Sequence, residues 1–216
     1  MDFFAVACWA WPFTTRHGGI QRQRLSSSTI LRWVSGDREY RERYNAVREK
    51  LTPFGLFAPD LPEAFPAGPD DVFLWSHWSD AMQRFYDVDG VPLSPFEMEV
   101  RTPEWDAFKD TFPMLPKRTV DEVRSDWLAV DEIMDDRGVA CGVVTQTSRV
   151  GAPEAEWVHR LLRFEVEIMH TLVPRGWRAF PFPHDAPPSN DEYFAPYQRE
   201  WLVRFVARCV ATLRGR

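Results

Sequence analysis

Cysteine is scarce in this chain and odd in number: Cys8, Cys141 and Cys209 lie far apart, each in an apolar run. That pattern excludes a disulfide framework and a cysteine-ligated zinc site, and leaves three expected buried thiols. Long hydrophobic runs are missing too, so no membrane-spanning helix is expected. The opening stretch Met1–Trp9 has no basic residue ahead of its apolar ones. It reads as a buried strand rather than a signal peptide, which makes the cytoplasm the expected location. Gly18-Gly19 and the Gly138/Gly142 pair fit no phosphate-binding loop. Neither Gly-x-Ser-x-Gly nor the His-Glu-x-x-His pattern occurs, which removes the signatures of α/β-hydrolases and zincins.

Histidines number five, and none makes a constellation. His159 and His170 share a helix face, but three turns separate them by about 16 Å, too far for one metal. His77 lies between Trp75 and Trp78 and reads as a core or rim residue. Ser26-Ser27-Ser28 has loop composition, and Cys141 sits in an apolar strand where a thiol is inert. Basic residues near both ends alternate with acids along helices, so no nucleic-acid partner is expected.

Two things are abundant. Aromatic residues make up 14% of the chain, including 10 Trp and 16 Phe, enough to build a core and leave anchors on a surface. The acids are concentrated: Asp60 to Asp136 holds 19 Asp/Glu against 6 Lys/Arg, a net of −13, and the remainder is +7. A block so biased predicts a negative field that attracts cations or basic partners.

The length fits one globular domain over 1–216, with Pro-rich loops packed on the body near 52–71 and 174–190. Phe3–Trp11 and Val72–Trp78 read as strands, Val139–Thr147 as a buried strand, and Thr14–Ser28 as a loop. Thr29–Val34 suits a strand or a helix start. Asp87-Val88-Asp89-Gly90 between apolar runs is a hairpin signal. Phe96–Val100 alternates strictly, which puts Glu97 and Glu99 on one acidic face. Together these predict an antiparallel meander. Helices are expected over Asp37–Leu51, from Thr102, from the Thr119/Glu122 capping box to Gly138, over Pro153–Val173 and over Pro196–Leu213. The stripes Trp157/Leu161/Phe164/Ile168 and Trp201/Phe205/Cys209 are expected in one shared core. The fold class is therefore α+β: a mostly antiparallel sheet with about five helices packed over it.

Asp131, Glu132, Asp135 and Asp136 are the sharpest acidic cluster, and their i,i+4 spacing pairs carboxylates as hard cations require. The six-residue stretch Asp131-Glu132-Ile133-Met134-Asp135-Asp136 resembles the Asp-rich metal motifs of prenyl-diphosphate and terpene enzymes. A second such motif is missing, Ser189-Asn190-Asp191-Glu192 being the nearest. With no catalytic constellation and no cofactor expected, the leading reading is a non-enzymatic inhibitor that neutralises a basic protein partner. In general build it resembles bacterial toxin-immunity proteins, including those that oppose nucleases. The expected contact residues are Trp78, Asp87, Asp89, Glu97, Glu99, Glu104, Trp105 and Asp106. The alternative is a small divalent-metal enzyme built on Asp131, Glu132, Asp135 and Asp136.

Overall fold

A computed structural model of the chain describes residues 2–6, 10–76, 78–97, 103–145, 156–182 and 196–215; the side chains of 11, 12, 78, 96, 97, 157 and 196–199 lie outside that description. Its centre is a five-stranded sheet in which every pairing is parallel. The strands are β1 (Phe3–Val6), β2 (Ile20–Arg22), β4 (Val72–Trp75), β8 (Ala140–Thr145) and β9 (Arg178–Pro181), in the order β2-β1-β4-β8-β9.

This overturns the expected antiparallel meander. The antiparallel pairings of the described residues are small and peripheral: β5 (Tyr86–Val88) with β6 (Val91–Leu93), and β3 (Leu56–Phe57) with β7 (Phe96–Glu97). The hairpin turn forms as its sequence predicts, with φ of 52° at Asp89 and 77° at Gly90. It does not seed the sheet. The central strands are buried on both faces, as a sheet covered by helices on two sides requires.

Pleating sorts each central strand between two cores. Phe4, Val6, Phe73, Trp75, Cys141 and Val143 face one. Phe3, Ala5, Val72, Leu74, Ala140 and Val144 face the other. The first core is roofed by α2 (Ser27–Val34), α3 (Arg38–Arg48), α6 (Val120–Asp136) and α7 (Glu156–Leu172), and the second by α1 (Trp11–His17) and α8 (Pro196–Arg214). Leu161, Phe164 and Ile168 of α7 therefore lie across the sheet from Phe205 and Cys209 of α8. The two stripes do not share a core: the sheet lies between α7 on one face and α8 on the other. The Trp157 side chain is outside the described residues.

Local signals set the helix ends. Thr119 and Glu122 form the expected capping box of α6. Ser26 caps α2, its hydroxyl accepting from the Thr29 amide at 3.2 Å. Thr29–Val34 is thus helix, and the stretch expected as a loop, Thr14–Ser28, contains the end of α1, all of β2 and the start of α2. Strand β2 is a half-buried edge strand with no alternation to announce it. The Pro-rich stretch after α3 is packed, as its interleaved apolar residues suggest: Leu56, Ala58 and Leu61 are buried. Asn45 clamps Leu61 through two reciprocal hydrogen bonds of 2.8 and 2.9 Å. Pro53 is nonetheless accommodated in a 3-10 turn, Glu49–Phe54. Cys141 and Cys209 are buried free thiols, and burial pushes Cys209 up to about 12.

Candidate functional site

In open parallel sheets, ligands bind outside the carboxyl ends of the strands, where the chain switches from one side of the starting strand to the other. Here the chain leaves β1 for β2 on one side and then crosses back to β4 on the other, so the switch lies between β1 and β4. The segments following β2 and β4 converge on one polar cluster. After β2 come Ser26, Ser27 and Ser28 at the start of α2; after β4 comes Asp80 in the short helix α4 (Trp78–Met82).

The Ser27 backbone amide donates to Asp80 Oδ1 at 3.1 Å and Oδ2 at 3.2 Å. The Ser27 hydroxyl donates to Asp126 Oδ2 at 2.7 Å. Arg118 Nη1 reaches both, at 3.0 Å to the Ser27 hydroxyl and 2.6 Å to Asp126. Arg160 of α7 ties the elements together from behind. Its guanidinium donates to the carbonyls of Ala81 at 2.8 Å, Asp80 at 3.2 Å and Arg118 at 2.8 Å. Ser26 Oγ shares hydrogen bonds with Ser28 and Thr29 at 2.9 and 3.0 Å.

Asp80 is 7% exposed. Burial raises its carboxyl to about 7; the Ser27 amide and the Arg118 charge oppose that shift, and Asp126 adds to it. A buried carboxyl that titrates near neutrality in a cleft is the kind of group that functional sites collect.

Asp80 lines a cavity of about 330 Å³. Ser26, Ser28, Gln83, Arg84, Lys117 and Arg118 supply polar lining, while Phe85, Pro92, Met114, Leu115 and Pro116 supply an apolar wall. Among the described residues neither Arg84 nor Lys117 has a carboxylate partner. The size is at the small end for organic-ligand sites, and the lining joins an apolar wall to convergent polar groups as such sites do.

None of these residues stood out in the sequence. Ser26-Ser27-Ser28 read as loop composition, and Asp80 was one acid among the nineteen of its block. The available signal was a polar Ser-x-x-Ser-Asp stretch directly after an apolar strand, which gains meaning only once that strand is placed in a parallel sheet.

The expected contact residues are placed as follows. Asp87 accepts from the Gly90 amide at 2.5 Å and closes the hairpin turn. Asp89 pairs with Lys50, and its carbonyl accepts from Arg43. Glu104 is exposed in the first turn of α5 (Pro103–Thr111). Asp106 is bridged to Lys109 at 2.6 Å. Trp105 is half-buried, stacked on Phe108 with ring centres 5.3 Å apart and meeting Tyr86 edge-on at 5.7 Å. The hairpin and α5 therefore do pack together. Trp78 begins α4 and Glu97 ends β7, but their side chains, and Glu99 altogether, lie outside the described residues.

The acidic block is partly neutralised in space. Arg22 pairs with Asp60, Arg41 with Glu63 and Arg175 with Asp131, at 3.1, 3.8 and 3.0 Å, alongside the Lys50–Asp89 pair. Each of these bases comes from outside the block.

The four candidate metal ligands diverge. Asp131 turns inward, accepting from Trp177 Nε1 at 2.7 Å and Arg175 Nη1 at 3.0 Å. Glu132, Asp135 and Asp136 are exposed. Among the described residues no three Asp, Glu, His or Cys side chains gather in a metal-holding arrangement. Nor is any helix among them long and apolar enough to cross a membrane. No family model matches the chain, and neither curated proteins nor solved structures show a match to it.

Proposed function

We propose that this protein binds a small organic anion in the cavity beside the carboxyl ends of β2 and β4. The observation that carries the reading is the cavity itself: among the described residues Arg84 and Lys117 have no carboxylate partner, and they share the lining with the buried Asp80. Two cations beside a helix start favour an anionic ligand group. The wall of Phe85, Pro92 and Met114 offers an apolar surface for the remainder of the ligand. Position on segments that follow the carboxyl ends of parallel strands adds an argument by analogy of fold, weaker than the lining.

The inhibitor reading rests on the charge block. It loses part of its support because Asp89 and Asp106, two of its contact acids, are occupied by Lys50 and Lys109.

Phenyl phosphate tests the anion reading, with phenol as the neutral control. Phenyl phosphate is expected to raise the melting temperature, and a ligand at a hundred times its Kd stabilises by about 2.7 kcal/mol. Phenol is expected to have no effect, and the Arg84→Ala/Lys117→Ala variant is expected to lose the response. An unchanged melting temperature, or an equal shift in the double variant, overturns the reading.

A further inference from the structure

Asp80 sets a chemical condition on whatever anion enters. Its carboxylate faces the same lining as Arg84 and Lys117 and is 7% exposed. As an ionised group it would repel an anion at short range in a low-dielectric setting. As a neutral acid it offers one O–H donor. Both carboxyl oxygens lie near the Ser27 amide, and the Ser27 hydroxyl is a second neighbouring donor.

We propose that the cavity is a phosphoryl site in which Asp80 works protonated, donating a hydrogen bond to a phosphoryl oxygen while Arg84 and Lys117 balance the charge. This rests on the anion-binding reading above and extends it by naming the ligand group and the protonation state that receives it.

The surroundings fit a carboxyl held neutral. Among the described residues, the charged groups facing Asp80 are Arg118 just before α6, Asp126 in the second turn of α6 and Arg160 from α7. Arg118 is already shared between Asp126 and the Ser27 hydroxyl, and it bonds the Glu122 carbonyl at 2.5 Å. Arg160 spends its donors on three backbone carbonyls. Neither forms a hydrogen bond with the Asp80 carboxylate, and burial prevails in setting its proton affinity. A bound dianion adds a like charge and holds the proton more tightly still. A phosphoryl group, with three terminal oxygens, can engage Arg84, Lys117 and the acid together; a planar carboxylate has only two.

Inorganic sulfate is the probe, because it keeps two negative charges throughout pH 5–9 and only the protein titrates. Calorimetry on the full chain measures its affinity across that range. Affinity is expected to be level at the acid end and to fall about tenfold per pH unit above the Asp80 carboxyl's value of about 7. Asp80→Asn supplies an N–H donor that cannot ionise, and is expected to hold the acid-end affinity at every pH. A flat profile in the unaltered protein overturns the proposal, as does an equal fall in Asp80→Asn, which would place the titration on another group. A flat profile alongside phenyl phosphate binding removes this proposal alone. Failure of sulfate to bind at any pH, with phenyl phosphate also inert, removes the anion reading with it.

Discussion

The Ser27 amide and the Asp80 carboxylate meet across 53 residues of sequence, at 3.1 and 3.2 Å. This contact joins the segment after β2 to the segment after β4. It also fixes a buried acid in the segment that follows β4.

The acid should be visible in the pH dependence of folding. Its carboxyl rises from 3.8 to about 7 on folding, so the native state binds the proton more tightly. The stabilisation from that proton is complete below pH 4 and is lost as pH rises to 7; above that, a constant penalty remains. Three pKa units set a ceiling of roughly 4 kcal/mol. Asp80→Asn should flatten this slope and be the more stable protein at pH 8. Urea unfolding from pH 4.5 to 8 measures it. Parallel profiles for the two proteins would show that the carboxyl is ionised throughout.

Arg160 should be costly to remove, although it is only partly buried. Replacement by Ala leaves the carbonyls of Asp80, Ala81 and Arg118 without their shared donor. Hydrogen bonds to charged groups contribute roughly 1.5–3 kcal/mol, so a loss of about 2–3 kcal/mol is expected by denaturant unfolding. Lysine should not rescue it, because an ammonium lacks the planar fork that spans α4 and the start of α6.

Gly142 in β8 should refuse a methyl group. An added Cβ would lie 2.6 Å from Phe180 Cε2 and 2.9 Å from Leu74 Cδ2. Gly142→Ala should destabilise by about 1–3 kcal/mol through overpacking. Adding Phe180→Leu should recover part of that loss, and chemical denaturation of the two variants would check it.

The two ends of the acidic cluster should answer differently to the same chemistry. Asp131→Asn weakens the buried acceptor of Trp177 Nε1, and a loss of about 1–2 kcal/mol is expected. Asp135→Asn and Asp136→Asn should be neutral or slightly stabilising, since exposed acids at a helix carboxyl end oppose its dipole. Thermal melts of the three variants would separate these outcomes.

Local devices were legible in the chain. The Thr119/Glu122 box, the Asp89-Gly90 turn and the buried stripe of α6 are each encoded within a few residues, so neighbours in sequence suffice to specify them. The pairing of strands was not. Phe3–Val6 and Val72–Trp75 are apolar on both faces, and such runs do not state which strand will lie beside them or in which direction. The antiparallel expectation followed the one hairpin whose turn was visible, because parallel crossovers leave no comparable local mark.

The candidate site belongs to the tertiary structure for the same reason. Ser27, Asp80, Arg118 and Asp126 are unremarkable singly, and their chemistry arises from shared burial after the strands have been ordered. Likewise the sequence determined how many acids the 60–136 block contains. Only the fold decided that Arg22, Arg41, Lys50 and Arg175 would neutralise some of them, because Coulomb interaction depends on distance in space and is indifferent to distance along the chain.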